Sequence, residues 1–338
     1  MWRELVHFFS KNQEVVITTH VNPDGDGVGA ACALTELLIL MGKRVRFVCD
    51  SPIPRKFAFL DYHKTFEEYE EEGDYSQTQV LIVLDTHRKE RIGRLAHLMD
   101  IPGIITVCLD HHEAINPLTI HTLIDPKACS VGAMVYALYQ ESGYALNVQA
   151  ATGIYASILC DTGRFCYSST GVKAHKIAEE CIKAGVDPDL MYSRLFQHVT
   201  LAETKLFAHA LQEMETYLDN QVAIEVIKKE DWGKLEGRCG DLEHIDLDYI
   251  HDFNNMIEDI KCFVLLREVD VDYIRVSLRS KADLDITSVV RTLGGGGHPH
   301  AAGLSWHGSL GSIKTKLIEL LGQILEPSLR ENTLAKVK

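Results

Sequence analysis

The sequence predicts an α/β protein with a parallel-sheet domain and flanking helices, a helical connector, and a smaller α/β domain. Three observations support this fold class. Short apolar runs alternate with helical patterns in the first third of the chain, the pattern from residue 130 is mainly helical, and strand-like runs return after residue 218. The length of 338 residues is in accord with two domains of ordinary size.

Four apolar runs in the first third predict the strands of a parallel sheet. They cover residues 14–20, 44–50, 79–85 and 103–112. Each run is nearly continuous in apolar residues, which is typical of strands that are covered on both faces. The stretch 28–43 has the pattern of a helix, so the order is strand, helix, strand, as in parallel sheets.

The chain divides into a first domain over 1–195, a helical connector over 196–217 and a second domain over 218–338. Ser130 and Gly143 are typical of the start and the end of a helix in the first domain. In the second domain, three strand-like runs precede a run of glycines and a last helix. These runs are "QVAIEVIKKEDW", "IKCFVLLREVD" and "YIRVSLRSK".

The composition is that of a globular protein with a sizeable core, since 46% of the residues are hydrophobic and 24% are charged. No apolar run approaches the roughly 18 residues of a membrane span, and the first residues lack the features of a signal peptide. We therefore expect a cytoplasmic protein with no membrane partner. The nine cysteines include no C-x-x-C pair, which predicts buried, reduced side chains. The net charge of −14 argues against a protein that coats long nucleic acid.

The stretch "HVNPDGDGVGA", residues 20–30, follows the first predicted strand and combines three glycines with two aspartates. A glycine-rich turn before a helix commonly binds phosphate through backbone amides, but Asp24 and Asp26 would repel a phosphate. We expect the glycines to allow a tight turn between strand and helix. The aspartates indicate that the ligand of this loop is a cation.

Acidic and imidazole side chains gather where the predicted strands end, and another aspartate follows the helical stretch "YASILC". Ligands of a parallel α/β sheet bind outside the carboxyl ends of its strands, so these residues should converge. Taken singly, each aspartate is more often a helix cap or a turn residue than a ligand. Their joint occurrence indicates a metal site. The residues are His20, Asp24, Asp26, Asp85, Asp110, His111, His112 and Asp161.

Several carboxylates in one crevice repel each other unless cations neutralise them. Mixed carboxylate and imidazole ligands suit Mn²⁺, with Mg²⁺ or Co²⁺ as substitutes. A shared carboxylate would hold two ions roughly 3.5–4 Å apart, which is the arrangement used for phosphoryl chemistry. The predicted cofactors are therefore two Mn²⁺ ions.

Four segments resemble, in order, the signature motifs of the DHH phosphoesterase superfamily: "THVNPDGDGVGA", "VLDTHRKERIG", "LDHH" and "CDTGRF". In the second domain, "VSLRSK" followed by "GGGGHPHAAG" is similar to the DHH-associated substrate domain. The resemblance covers essentially the whole chain and is greatest to the nanoRNase and pAp phosphatase group. It implies cleavage of short oligonucleotides, including pApA and pGpG, to mononucleotides, and removal of the 3′-phosphate of 3′-phosphoadenosine 5′-phosphate (pAp).

The resemblance also implies which side chains hold the metal ions. A water between the two ions would be the nucleophile, because coordination to metal lowers its pKa. One Mn²⁺ would bind His20 and Asp24, the other would bind Asp26, His111 and Asp161, and Asp85 would bridge the two ions.

Catalytic roles follow from the same resemblance for two residues beside the bridging Asp85. Asp110 would orient an imidazole, as carboxylates near metal-bound histidines do. His112 would face the scissile phosphate, as a hydrogen-bond donor or as the acid for the leaving group. The segment "DTHRKER" is more basic than the common family motif. We interpret its His87 and Arg88 as solvent-exposed loop residues, with phosphate contacts as the alternative.

The glycine run near the end of the chain contains no acid and predicts a phosphate-binding loop. Gly295, Gly296 and Gly297 would let backbone amides approach an anion. His298 could add a charge-assisted contact, and Arg279 offers a planar pair of donors. The alternative is a flexible loop and a surface arginine. These residues would hold the substrate, and a helical connector separates them from the metal ligands. This arrangement predicts a cleft of limited length. We therefore expect a preference for very short oligonucleotides and nucleotide bisphosphates.

Other functions stay open at this point. A dinucleotide-binding domain would also begin with strand, glycine loop and helix, but "GDGVG" lacks the G-x-G-x-x-G spacing and carries acids that would face the pyrophosphate. A soluble cyclic di-AMP phosphodiesterase is the main alternative within the superfamily. A manganese inorganic pyrophosphatase has a basic motif in place of the glycine run, and a RecJ-type exonuclease carries additional nucleic-acid-binding parts. A homodimer is an assembly that the sequence leaves open.

Overall fold

The structure is a computed structural model. It separates into two compact units, Met1–His198 and Val199–Lys338. The helix that the sequence predicts as a connector therefore lies within the second unit. The described residues are 2–113, 116–232, 250, 253–281 and 284–335, with all side chains except those of 202, 232, 298 and 326–335.

The first unit is built on a parallel sheet of six strands in the order β3-β2-β1-β4-β5-β6. The four predicted strands are confirmed, and β3 and β6 are short edge strands without a clear apolar run. β1, β4 and β5 end earlier than predicted, because the polar residues at their ends lie mainly in the following loops. The strands are β1 Glu14–Thr18, β2 Arg44–Cys49, β3 Phe66–Glu68, β4 Val80–Leu84, β5 Ile105–Asp110 and β6 Thr122–Ile124.

Both faces of this sheet are covered, as the continuous apolar runs predict. Val15 and Ile17 of β1 pack into a core formed with the helices, whereas Val16 between them packs on the other face against the 3-10 segment Lys89–Asp100. A second 3-10 segment covers Arg55–Leu60. The helices are α1 Trp2–Lys11, α2 Gly25–Leu40, α3 Val131–Ser142, α4 Val148–Asp161, α5 Val172–Lys183 and α6 Pro188–Phe196.

Helix α2 begins three residues before the predicted position. Asp24 is its N-cap, and the Asp24 carboxylate accepts hydrogen bonds from the backbone N–H groups of Asp26 (3.0 Å) and Gly27 (3.2 Å). These are amides of the first helical turn, which have no partner within the helix. The cap therefore fixes where α2 starts and orients the carboxylate of Asp24.

The three glycines of residues 20–30 serve close packing and not the tight turn that we expected. All three lie inside α2, and none is among the described residues with a positive φ. Each lies where a side chain would overlap a neighbouring element. An added Cβ would lie 2.1 Å from Cys160 Sγ at Gly25, 2.3 Å from Thr19 Oγ1 at Gly27, and 2.5 Å from the Gly153 carbonyl oxygen at Gly29. The glycines let α2 pack closely on α4 and on the end of β1.

Replacing Gly29 with alanine should lower the free energy of unfolding of the first unit by about 2–3 kcal/mol, a typical cost of overpacking. The new methyl would meet backbone atoms, Gly153 O at 2.5 Å and Ser157 N at 2.8 Å, which cannot rotate away. Urea unfolding would measure the loss. Gly171→Ala is the matched control, since its Cβ enters open space, and it should cost less than about 1 kcal/mol. Equal losses for the two variants would contradict this packing argument.

The second unit contains a six-stranded sheet in the order β11-β12-β10-β9-β8-β7, antiparallel except for the pair β8 and β9. Part of the predicted glycine loop forms the edge strand β11, since it pairs with β12. The strands are β7 Glu215–Tyr217, β8 Val222–Ile227, β9 Cys262–Asp270, β10 Tyr273–Ser280, β11 Gly296–His298 and β12 Ala301–His307. The helices are α7 Leu201–Gln212, α8 Lys229–Trp232, α9 Thr287–Thr292 and α10 Leu310–Ala335.

A buried carboxyl group in the second unit has an unusual environment. Glu225 of β8 is 1% exposed, and its Oε2 accepts a hydrogen bond of 3.0 Å from Asn254 Nδ2. Burial raises the pKa of Glu225 to about 7, although the hydrogen bond from Asn254 opposes this shift. Neither Glu225 Oε1 nor Asn254 Oδ1 has a hydrogen-bond partner among the described residues. A proton on Glu225 would let the acid donate to an acceptor such as the Asn254 amide oxygen.

The stability of the protein relative to a Glu225→Gln variant should fall as pH rises. The folded state holds the proton up to pH 7, whereas the unfolded chain releases it near 4.5, so the stabilisation is complete below 4.5 and is lost as pH rises through 7. The total change is about 3 kcal/mol for a shift of this size. Urea unfolding of both proteins between pH 4 and pH 8 tests this. A pH-independent difference would show that Glu225 is ionised in the folded protein.

Two further sequence predictions concern the membrane and the cysteines. In the part of the chain that the structure describes, no helix has the length and apolar character of a membrane span. The described cysteines are unpaired, and most are buried as expected. Cys166 is exposed, and Cys239 lies outside the described residues.

Candidate metal centre

The candidate centre lies at the carboxyl end of the first sheet, where the loops after three neighbouring strands meet. The order β1-β4-β5 places these strands side by side. Two helices add candidate ligands, because α2 starts beside β1 and α4 packs closely on α2. The side chains that converge are His20, Asp24, Asp26, Asp85, His111, His112 and Asp161.

One group of potential ligands surrounds His20. Its Nε2 lies 3.5 Å from Asp24 Oδ2 and 3.5 Å from Asp85 Oδ2. Its Nδ1 lies 2.9 Å from the Val21 carbonyl oxygen, which can only accept a hydrogen bond. Nδ1 therefore carries a proton, which leaves Nε2 as the nitrogen that faces the two carboxylates and would ligate a metal ion in the neutral ring.

A second group surrounds His111. Its Nε2 lies 3.4 Å from Asp26 Oδ2, 3.6 Å from Asp161 Oδ2 and 3.6 Å from Asp85 Oδ1. Its Nδ1 donates to the Ala128 carbonyl oxygen at 3.2 Å. Asp85 therefore directs one oxygen toward each histidine, which is the position of a carboxylate shared by two sites.

The spacing of these atoms fits metal ligation better than direct hydrogen bonding. Separations of 3.4–3.6 Å are too long for good hydrogen bonds. Two ligands about 2.1 Å from one divalent ion lie roughly 3–3.5 Å apart. Asp85 Oδ1 and His111 Nε2 are buried and have no hydrogen-bond partner among the residues that the structure describes. An ion bound by both groups would satisfy these atoms.

The electrostatics of the centre also favour bound cations. Burial, and then the charges of Asp26 and Asp24, raise the pKa of Asp85 well above its ordinary value. Burial and the charge of Asp26 raise the pKa of Asp161 to about 7. Burial would lower the pKa of His20, but Asp24 and Asp85 outweigh it and raise that pKa to about 10. Without metal the centre therefore holds protons, and metal binding must displace them.

The backbone at Asp85 is unusual. Its φ of 62° lies in the left-handed region, and its N–H donates to the Leu109 carbonyl oxygen at 3.0 Å. Aspartate tolerates this region better than most residues, yet such conformations persist only where the surroundings hold them, often at functional sites. This conformation ends β4 and coincides with the turn of the carboxylate toward both histidines.

Asp26 is held by groups that are not among the predicted site residues. Its carboxylate accepts hydrogen bonds from Val131 N at 2.8 Å and Gly132 N at 3.2 Å, at the start of α3, where the helix dipole favours a negative charge. Ser157 Oγ also donates to it, at 2.5 Å. Ser157 lies four residues before Asp161 on α4, so the helical period was the signal that could have placed it on the same face.

Asp110 accepts hydrogen bonds from two histidines. Its fully buried carboxylate lies 2.7 Å from His112 Nδ1 and 2.5 Å from His87 Nδ1. Burial would raise the pKa of Asp110, but the hydrogen bonds from His112 and His87 outweigh it and hold that pKa well below its usual range. The interpretation of His87 as solvent-exposed is wrong, since its side chain is only 11% exposed. Arg88 is exposed, as expected.

The predicted substrate residues lie in the second unit. Arg279 is half-buried on the face of β10 opposite the main core, which contains Leu278. Two of the three glycines are required by the fold: a Cβ at Gly295 or Gly297 would lie 2.4 Å or 2.5 Å from a backbone carbonyl oxygen, and Gly297 has a φ of 143°. A Cβ at Gly296 would meet nothing within 4 Å among the described residues. The side chain of His298 lies outside the described residues.

Two family models match the chain. The model of the N-terminal domain of the DHH family matches residues 14–159, and the model of the DHHA1 domain matches residues 240–326. The first match covers the strands and most of the helices that carry the candidate centre. The second covers the predicted substrate residues.

The chain is also similar to characterised proteins and solved structures. It is 31% identical over 309 residues to the bifunctional oligoribonuclease and PAP phosphatase NrnA of Bacillus subtilis, covering 90% of this chain and 93% of that protein. It is 27% identical to the protein of the same name from Thermus thermophilus, covering 87% and 84%. An exopolyphosphatase-related protein from Bacteroides fragilis shares the fold with a TM-score of 0.88, at 24% identity and 97% coverage of both chains. Since both domains match and the identity extends along nearly the whole Bacillus subtilis protein, this chain belongs to the DHH family.

Proposed function

We propose that this protein is a two-metal phosphoesterase that hydrolyses short oligonucleotides to mononucleotides and removes the 3′-phosphate of pAp. The observation that carries the proposal is the position of Asp85, whose two oxygens face two separate groups of ligands. The relatives from Bacillus subtilis and Thermus thermophilus are named as bifunctional oligoribonucleases and PAP phosphatases, which supports the choice of substrates.

Six side chains would hold the two ions, with Mn²⁺ as the proposed metal and Mg²⁺ or Co²⁺ as substitutes. When bound, the ions lower the pKa of a water molecule and neutralise charge on the phosphate. The mixed imidazole and carboxylate ligands suit Mn²⁺. His20 and Asp24 would hold one ion, Asp26, His111 and Asp161 would hold the other, and Asp85 would contact both.

His112 is the side chain that we propose to act directly on the substrate, in addition to the metal ions. Its Nδ1–H donates to Asp110, which directs the other ring nitrogen, Nε2, away from that carboxylate. The side chain is 28% exposed, so it is accessible to a substrate. His112 would donate a hydrogen bond to the scissile phosphate or a proton to the leaving oxygen, and Asp110 would stabilise the ring when it is charged.

The second unit would bind the substrate through Arg279, the glycines 295–297 and His298. An edge strand leaves alternate backbone groups without a partner in the sheet, and β11 is such a strand. Packing within the described residues does not explain why residue 296 is a glycine, since a Cβ there would meet nothing within 4 Å. We propose that the missing side chain lets an anion approach the backbone. The net charge of −14 offers no extended basic track for a long strand.

Replacing Arg279 with alanine should raise KM for pApA about tenfold or more, because charge-assisted hydrogen bonds contribute roughly 1.5–3 kcal/mol. The metal content should not change, since Arg279 lies on β10, outside the unit with the metal ligands. Steady-state kinetics and metal analysis test this. Arg275→Ala is the matched control, because it removes the same charge four residues earlier on the same strand. Equal effects on KM would show that only the general charge matters.

The deciding experiment compares initial rates on pAp, pApA, pGpG, a pentanucleotide, a long single strand, cyclic di-AMP and pyrophosphate, all with Mn²⁺. We expect the linear dinucleotides and the pentanucleotide to be cleaved faster than the long strand, and pAp to lose its 3′-phosphate. Equal rates on the long strand would contradict the preference for short substrates. Hydrolysis of cyclic di-AMP or pyrophosphate alone would overturn the proposed activity.

A further inference from the structure

His87 shares the Asp110 carboxylate with His112. Its Nδ1 lies 2.5 Å from Asp110 Oδ2, while His112 Nδ1 lies 2.7 Å from Asp110 Oδ1. The backbone N–H of His112 also donates to Oδ1, at 3.1 Å. Each carboxylate oxygen is therefore held by a separate imidazole. Asp110 itself is 0% exposed, so water cannot readily replace either histidine.

We propose that His87 is a positioning residue that orients His112 through the Asp110 carboxylate. The inference rests on the proposed function, in which His112 acts on the phosphate. A carboxylate held at only one oxygen can rotate about the bond to its Cβ, since this torsion is broad. A second hydrogen bond at the other oxygen restricts that rotation. His87 thereby keeps the plane of Asp110 in the orientation that aligns the ring of His112.

The hydrogen bonds also define the tautomers of both rings. An ionised carboxylate can only accept, so both Nδ1 atoms must carry a proton. The ring of His112 then presents Nε2 as its second nitrogen, and rotation or exchange to the other tautomer would break its bond to Asp110. The same constraint applies to His87, which makes the pair a rigid unit around one carboxylate.

The position of His87 is itself well defined. Its neighbour Thr86 is 2% exposed, and the Thr86 hydroxyl accepts a hydrogen bond from Arg88 N at 3.3 Å. The Thr86 carbonyl oxygen is contacted by Cys108 Sγ of β5, at 3.3 Å. The loop after β4 is therefore anchored at Thr86, and the ring of His87 lies mostly buried beside Asp110.

The test compares His87→Ala with His87→Asn in the full-length, metal-loaded protein. Asparagine can place its amide N–H near the position of the imidazole Nδ1, whereas alanine removes the donor. We expect kcat of His87→Ala to fall about 10- to 100-fold, as for other residues that support a functional histidine, with KM and metal content nearly unchanged. His87→Asn should retain most of the activity. His97→Ala, an exposed histidine elsewhere in the first unit, is the control and should match the wild type.

A second measurement keeps the inference separate from the proposed activity. NMR of ¹⁵N-labelled histidine in the Mg²⁺-loaded protein reports which ring nitrogen carries the proton. The His112 ring should be a single Nδ1–H tautomer in the wild type and in His87→Asn, and a mixture in His87→Ala. If His87→Ala fails to fold, His87→Gln takes its place in the comparison. The glutamine side chain is longer than that of asparagine, so its amide N–H should not reach the position of the imidazole Nδ1 and should not restore the hydrogen bond to Asp110.

The outcomes distinguish the two proposals. The inference about His87 would be overturned if His112 kept a single tautomer in His87→Ala, or in His87→Gln where that replaces it. An unchanged kcat in that variant, or a loss of bound metal, would also overturn it. A wild-type protein that hydrolyses none of the substrates would instead refute the proposed function. In that case the NMR comparison alone decides whether His87 positions His112.

Discussion

Asp85→Ala should abolish phosphoesterase activity and the binding of two metal ions together. Its carboxylate is the only described one that faces both His20 and His111, with 3.5 Å and 3.6 Å between the nearest atoms. Two-metal stabilisation of the transition state is worth several kcal/mol, so the loss of kcat/KM should be at least about a thousandfold. Metal analysis after dialysis and kinetics with Mn²⁺ measure the two effects in parallel.

Asp161→Asn is the matched comparison for this variant. Asp161 belongs to the group of Asp26 and His111, 3.6 Å from His111 Nε2, and not to the group of His20, so its replacement should weaken one site and leave the other. We expect close to one tightly bound ion per chain and residual activity at high Mn²⁺. The bridging assignment fails if Asp85→Ala still binds two ions and turns over substrate.

His112→Gln should lower kcat by roughly 10²- to 10⁴-fold, the usual contribution of a positioned acid or base. The two ions should remain bound, because His112 is held by Asp110, at 2.7 Å, and lies 3.6 Å from Asp85 Oδ1. Single-turnover rates and metal analysis test both statements. The control is His121→Gln, which changes an exposed histidine of the same unit.

Loss of one metal ion from His112→Gln would assign His112 a different role. Asp85, His111 and His112 also lie close enough together to hold a metal ion. A variant that binds one ion fewer would show that His112 is a ligand and not an acid. A variant with unchanged kcat would remove His112 from the mechanism.

The location of the centre could be predicted from the sequence, because polar residues interrupt apolar runs at positions that a parallel sheet must bring together. His20, Asp85 and His111 each follow such a run, and the sheet order places the three strands side by side. The start of α2 was harder to predict. An aspartate in this pattern can be a cap or a ligand, and Asp24 has the geometry of both.

Residues that act through tertiary contacts could not be predicted in the same way. Ser157 reaches Asp26 only because α4 packs on α2 through Gly29 and Gly153, and His87 reaches Asp110 only because β4 and β5 are neighbours. Helical spacing relates Ser157 to Asp161, but nothing in the sequence indicates that its partner is Asp26, and His87 is one of several basic residues in its loop. The glycines of α2 predict a turn for the same reason, since close packing and a turn both select a residue without a side chain.

The sequence alone determined the fold class and most of the side chains that converge, through apolar periodicity and the residue types at strand ends, and the resemblance of its motifs indicated the family. Only the tertiary structure decided how those side chains are shared: Asp85 between two groups of ligands, and Asp110 between two imidazoles. The physical reason is that a carboxylate has two oxygens. Which partner each oxygen meets depends on the packing of strands and helices that are distant along the chain.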